Sequence, residues 1–164
     1  MDSKSFFVTQ VVKLVVGVWL SCALMADAVN AQADTKVPAA GLIKRVSGNA
    51  VLERAGQRKP IAVGSHVNVG DILRTGSDGS IGIALADDTL LAVGAESELV
   101  LSAYTFDSTT QDGNLLASVW RGTVAFVTGL IAKKAPENVR VQTRTVVLGV
   151  RGTEFIVDAG RGAP

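Results

Sequence analysis

The chain is poor in the residues from which most catalytic and metal centres are built. It has one cysteine, one histidine and one tyrosine, and aromatic residues make up 5% of it. The lone cysteine, Cys22, sits inside an N-terminal apolar stretch. Once that stretch is removed, no disulfide, thiolate nucleophile or cysteine metal site is available. His66 cannot build a zinc cluster alone. Its neighbour Ser65 is no triad partner, because adjacent strand residues point to opposite faces. His66 is therefore read as a surface residue. No charge of one sign prevails: 16 basic against 15 acidic residues give +1, so nothing calls for nucleic acid or a charged membrane surface. Two tryptophans supply no series of stacking platforms for single-stranded nucleic acid. Beyond the N-terminal region no long apolar stripe of period 3.6 occurs, which argues against a helical domain.

What is present begins with a leader. Lys4 precedes a mostly apolar segment whose uninterrupted part, residues 14–25, has the length of a secretory core and falls short of the ~20 residues of a membrane span. Val29-Asn30-Ala31 and Ala31-Gln32-Ala33 both place small residues at the −3 and −1 positions of a cleavage site. Residues 1–31 are thus expected to form a hydrophobic signal helix that is cleaved, leaving the protein periplasmic or secreted. The alternative is an uncleaved anchor in the inner membrane. Trp19 stands where a lipoprotein box carries leucine, so lipidation of Cys22 is not expected. Residues 32–40, with Pro38, read as a linker, 41–158 as one β domain and 159–164 as a flexible tail.

From Gly41 on, apolar runs of four to seven residues are punctuated by glycine. In SIGIALA, Ile81, Ile83 and Leu85 alternate with Gly82, Ala84 and Ala86, so one strand face is bulky and the other nearly bare. Bare faces let another layer approach closely. Val139, Val141 and Thr143 oppose Arg140, Gln142 and Arg144 in the same way. Short strands with glycine-rich turns predict an all-β fold. Glycines at 41, 48, 56, 64, 70 and 76 suggest stacked turns, as in a solenoid or roll, with a β-sandwich as the alternative. Lys44, Arg45, Arg58, Lys59, Arg140 and Arg144 are candidates for guarding sheet edges.

A series of motifs resembles the FecR-domain family of periplasmic signalling proteins. It runs through Val46-Ser47-Gly48, then Val69-Gly70-Asp71-Ile72-Leu73-Arg74-Thr75-Gly76 and Ala86-Asp87-Asp88-Thr89. It continues with Glu96-Ser97-Glu98-Leu99, Arg121-Gly122-Thr123-Val124 and Val141-Gln142-Thr143, and closes on Gly149-Val150-Arg151-Gly152-Thr153-Glu154-Phe155. The resemblance implies a β-rich periplasmic domain. In that family it is preceded by a sigma-factor-binding segment and a membrane span, and it senses the signalling domain of an outer-membrane receptor. Only five residues precede the apolar stretch here, so no anti-sigma segment is expected.

The motif residues Gly70, Asp71, Thr75, Gly76, Gly149, Gly152 and Thr153 are read as turn builders. No spacing fixes a partner that would make Asp71 a general acid, and an aspartate after a turn glycine accepts backbone N–H bonds. Arg151 is expected to project outwards or to pair with Glu154, Asp158 or Asp71. No P-loop lysine follows the glycines, which excludes a nucleotide cradle. Asp78 and Asp87-Asp88 lack the alternating ligand spacing of a calcium loop and read as solvated turns. No metal, cofactor or catalysis is expected. The chain reads as an exported interaction module for an envelope protein or polysaccharide, binding through a sheet edge or a face carrying Arg140, Arg144 and Arg151. Two other readings are a small envelope hydrolase or carbohydrate-active protein, which would need two acids across a cleft, and a structural β protein whose edges pair between copies.

Overall fold

The computed structural model describes residues 39–150 and 152–160. The expected signal peptide, most of the linker, Arg151 and residues 161–164 lie outside them. The described residues form two sheets. The first contains β1 (Gly41–Ser47), β4 (His66–Val67), β6 (Ser80–Leu85), β7 (Leu90–Val93), β10 (Thr123–Val127) and β13 (Glu154–Asp158), in the order β13-β10-β7-β6-β1-β4. The second contains β2 (Ala50–Arg54), β3 (Gln57–Pro60), β5 (Ile72–Thr75), β8 (Glu98–Phe106), β9 (Gly113–Arg121), β11 (Val139–Gln142) and β12 (Val147–Gly149), in the order β12-β11-β9-β8-β5-β2-β3.

Period-2 patterning decides which way each strand faces. Ile81, Ile83 and Leu85 of β6 are buried, and Gly82 and Ala84 lie on the outer side. Val139 and Val141 of β11 are buried, and Arg140 is exposed. Inward residues of both sheets share one core: Ile43, Leu91, Val93, Val124 and Phe126 from the first, Leu73, Leu99, Leu101, Leu115 and Val119 from the second. Phe126 and Phe155, cross-strand partners on β10 and β13, stack with ring centroids 4.9 Å apart. At ~25 cal/mol per Å² of buried apolar area, this layer is the main favourable contribution to folding.

Among the described residues every strand pairing but one is antiparallel; β11 runs parallel to β9. That parallel return needs a long connection, which passes through β10, a short helix α1 (Leu130–Lys134) and a 3-10 turn over Pro136–Asn138. Ile131 of α1 is buried in the core. The chain passes repeatedly between the sheets, but the stacked-turn solenoid or roll suggested by the glycine spacing is not what the pairing displays. Two broad sheets around one core stand closer to the sandwich alternative. The two apolar runs within 146–157 go to different sheets: β12 ends the second and β13 ends the first.

Candidate interaction surfaces

Five polar motif residues, Asp71, Thr75, Asp87, Thr89 and Ser97, are buried. Asp71 starts the turn into β5 and is fully buried. Its carboxylate accepts the Asn68 backbone N–H at 2.7 Å, a bond that reaches back three residues and closes the turn. It also accepts two bonds from Arg54, Nε at 2.7 Å and Nη2 at 2.6 Å. Arg54 also donates to the His66 carbonyl, tying β2 to the start of β4. Arg54, which sequence reading did not single out, is thus a cation on Asp71; the suggested Arg151 lies outside the described residues. Charge alternation along β2 shows a cation but not that it crosses 17 residues to this turn. His66 is exposed, as expected.

Thr75 and Gly76 organise a junction between the sheets. The Thr75 hydroxyl donates to the Gly94 carbonyl at 2.6 Å and accepts the Ser97 N–H at 2.9 Å. The Ser97 hydroxyl in turn accepts the Thr123 N–H at 3.0 Å. Gly122 completes this knot with φ of 76°, and a Cβ there would lie 2.1 Å from Ser97 Oγ. Gly76 donates its N–H to Asn49 and accepts from Gly79 and Glu96 with its carbonyl. A cleft of about 420 Å³ beside this corner is lined by Ser77, Glu96, Thr123 and Asp158 among others.

The aspartate pair corrects the sequence reading. Asp88 is exposed in the turn with φ of 65°, but Asp87 is fully buried. The Thr89 hydroxyl donates to Asp87 Oδ2 at 2.7 Å, and the Tyr104 hydroxyl donates to Oδ1 at 3.1 Å. Tyr104 also accepts the Asp87 N–H at 2.9 Å. Burial first, and then the Asp87 carboxylate, push the Tyr104 hydroxyl well above its ordinary titration range. Thr89 passes the network on by accepting the Gly129 N–H at 3.0 Å. This is a satisfied structural cluster. The one available sequence signal was the Asp-x-Thr spacing, which permits a side-chain bond two residues apart.

The closing motif is the crossover from β12 to β13. Thr128 pins it: its N–H and hydroxyl donate to the Thr153 carbonyl at 2.8 and 3.2 Å, and the hydroxyl also reaches the Gly152 carbonyl at 3.1 Å. Gly152 has φ of 140°, a conformation that disfavours side chains. Gly149 is exposed with open space around its missing Cβ, so nothing in its surroundings demands glycine. Arg151, at the centre of the motif, lies outside the described residues.

Arg140 projects from β11, and Arg144 sits in the turn over residues 143–146 that leads to β12. Both are exposed, and neither forms an ion pair among the described residues. They flank the outermost strand of the second sheet, where Val146, Val147 and Leu148 are 50%, 59% and 40% exposed. The opposite edge, β3, carries Arg58, Lys59 and Pro60. Of the proposed edge guards, Arg58 and Lys59 thus occupy an edge. Arg140 is one strand in, on β11, and Lys44 and Arg45 lie on β1, also one strand in.

The two outer faces differ. The second sheet presents an ion-pair ladder: Arg58 bonds Glu53 at 2.9 Å, and Arg74 bonds both Glu53 and Glu98. The first presents Leu42, Ala84, Leu90, Ala92, Ala125, Val127 and Ile156 around Gly82, with no ion pair among the described residues. No group of three or more His, Cys, Asp or Glu among the described residues is placed to hold a metal ion. No described helix is long and apolar enough to cross a membrane.

No curated protein matches the chain with significance. A solved chain described as a cell surface anchoring domain is 30% identical to it, over 37% of this chain and 80% of that one, with a TM-score of 0.35. The sequence model of the FecR protein family matches residues 71–163, more than half of the chain, from the buried Asp71 through the crossover at Gly152. By that match, which leaves out β1 to β4 although β1 lies within the first sheet, the chain belongs to the FecR family.

Proposed function

We propose that the chain is a non-catalytic interaction module of the cell envelope, exported by residues 1–31, which docks an extended partner segment along β12. FecR family membership supports the envelope role. The observation that carries the docking site is the contrast between the two edges of the second sheet. Edge strands carry unpaired backbone groups and are normally protected by charge or proline. β3 has both protections, whereas β12 has neither and leaves Val146, Val147 and Leu148 exposed. Strand addition at such an edge draws affinity from main-chain hydrogen bonds and specificity from alternate side chains. Arg140 and Arg144 beside it select a segment bearing carboxylates. The buried aspartates, each satisfied by structural partners, support the absence of catalysis.

The test compares the wild-type protein with Arg140→Glu plus Arg144→Glu, and separately with Val147→Lys, in pull-downs from envelope extract. A partner recovered by wild type should fall about tenfold with either variant, the loss expected from removing ~1.4 kcal/mol of contact. Equal recovery of every partner by all three proteins rejects this location. Turnover of a glycan or ester that Asp71→Asn abolishes would reject the non-catalytic reading.

A further inference from the structure

We propose that the outer face of the first sheet is a self-association surface, on which a second copy of this chain stacks face to face about a two-fold axis parallel to the strands. This rests on residues other than those of the β12 edge and is independent of it.

The face can be laid out from the strand register. One row across the sheet reads Glu154, Val127, Leu90, Ala84, Leu42. The next reads Ile156, Ala125, Ala92, Gly82, Arg45, and Asp158 lies beyond Ile156 on β13. Ile156 is 69% exposed, Leu90 48% and Val127 40%. These are contiguous, unlike singly scattered surface apolar residues, and a contiguous patch marks a contact surface. The ladder of arginines and glutamates on the second sheet shows how this same chain builds a solvated face.

Charge selects a second copy as the occupant. The β1 side of the face carries Arg45, whose Cβ lies beside Gly82. The β13 side carries Glu154 and Asp158, both exposed. Arg45 and Glu154 have no ion-pair partner among the described residues. A two-fold axis along the strands and over β7 sets β1 of each copy against β13 of the other, so each Arg45 meets the partner's acidic rim. Its stem then covers Ile156 while the guanidinium reaches between the two carboxylates. Shape agrees with charge. Val127 falls opposite Ala84, Ala125 opposite Gly82, and Leu90 and Ala92 meet their own counterparts on the axis. Such self-matching is what a two-fold interface requires.

Five strands ~4.8 Å apart and five residues of ~3.4 Å each give a face of roughly 400 Å² per copy. That total of roughly 800 Å² belongs to weak, reversible association. A covalent trap suits such a contact. The full chain carrying Cys22→Ser and Ala92→Cys is expressed for export, and envelope fractions are treated with a short bis-maleimide, because faces stacked ~10 Å apart hold the axial thiols beyond the reach of a disulfide. Leu90→Cys provides a second axial position if Ala92→Cys impairs folding, and Ser102→Cys on the second sheet is the control. The expected result is a cross-linked species of twice the monomer mass from the axial cysteine. It should fall about tenfold when Arg45→Glu is added. It should return when Glu154→Arg and Asp158→Arg accompany Arg45→Glu. Any of the following overturns the proposal: no dimer from either axial cysteine in protein with a wild-type circular-dichroism spectrum, an adduct of another mass, equal linkage through Ser102→Cys, or no return on charge exchange. Arg140→Glu plus Arg144→Glu should leave the cross-link unchanged, which separates failure of this surface from failure of the β12 edge.

Discussion

Asp71 shows how much one residue can hold when it is buried beside a turn. Its carboxylate collects donors from Asn68 and Arg54 and so fastens β2 to the turn before β5. The Asp71→Asn variant keeps the shape but turns an amide N–H towards a guanidinium. A cost of about 2 kcal/mol is expected, below that of a fully buried pair because Arg54 is half exposed. The companion change Asp88→Asn, in the solvated turn, should stay within ~0.5 kcal/mol. Urea titrations of the two proteins check this, and equal midpoints would contradict the buried role. The need for a turn-forming carboxylate at Asp71 was legible in Gly70-Asp71. The identity of its cation was not, because Arg54 is 17 residues away and only the β2–β5 pairing brings it close. Asp87 taught the opposite lesson: two adjacent aspartates read alike in sequence, yet the chain buries one and solvates the other.

At the scale of elements, the crossover between β12 and β13 is the least predictable step. Sequence patterning marks two apolar, β-branched runs around a glycine corner in residues 146–157, but not that the two runs end different sheets. The break is set by Gly152 and by Thr128, whose hydroxyl bonds the Gly152 and Thr153 carbonyls from another strand's end. Thr128→Val keeps the volume and the backbone N–H bond but removes that hydroxyl. It should destabilise by about 1 kcal/mol and, more tellingly, speed amide hydrogen exchange in β13 while leaving β2 and β5 unchanged. A uniform change in exchange across both sheets would mean that Thr128 acts on global stability and does not specifically pin this crossover. The bare face of β6 was legible, since Gly82 and Ala84 alternate with isoleucines. That β7, β10 and β13 continue the same apolar surface was not, because strand order is not written in any one strand.

For the whole molecule, surface carboxylates shape the response to acid. Hydrogen bonds from Arg58 and then Arg74 hold Glu53 below its ordinary value of 4.5. Backbone N–H groups of Thr110 and Thr109 hold Asp107 below 3.8, and Lys134, followed by Thr110, does the same for Asp112. In each case the folded chain binds its proton less readily than the unfolded one. Their contribution is therefore complete above the unfolded values and is lost as the pH falls through the lower folded values. The thermal midpoint should be flat between about pH 7 and 5.5 and decline below about pH 4.5. A triple variant, Glu53→Gln, Asp107→Asn and Asp112→Asn, should start lower and decline less steeply. Parallel curves for the two proteins would show that these groups do not govern acid stability.

The sequence by itself determined the class of structure: short β-branched runs cannot bury a helical stripe, and glycine turns between them leave sheets as the way to satisfy the backbone. It also determined the family, through an ordered series of turn motifs. Tertiary structure alone decided which strands neighbour one another. It thereby decided which aspartate is buried, which edge lies open at β12, and which outer face gathers apolar side chains with opposite charges at its two sides. Local patterning governs the faces of a single strand, whereas surfaces are made by strands far apart in the chain, and only the folded pairing brings those together.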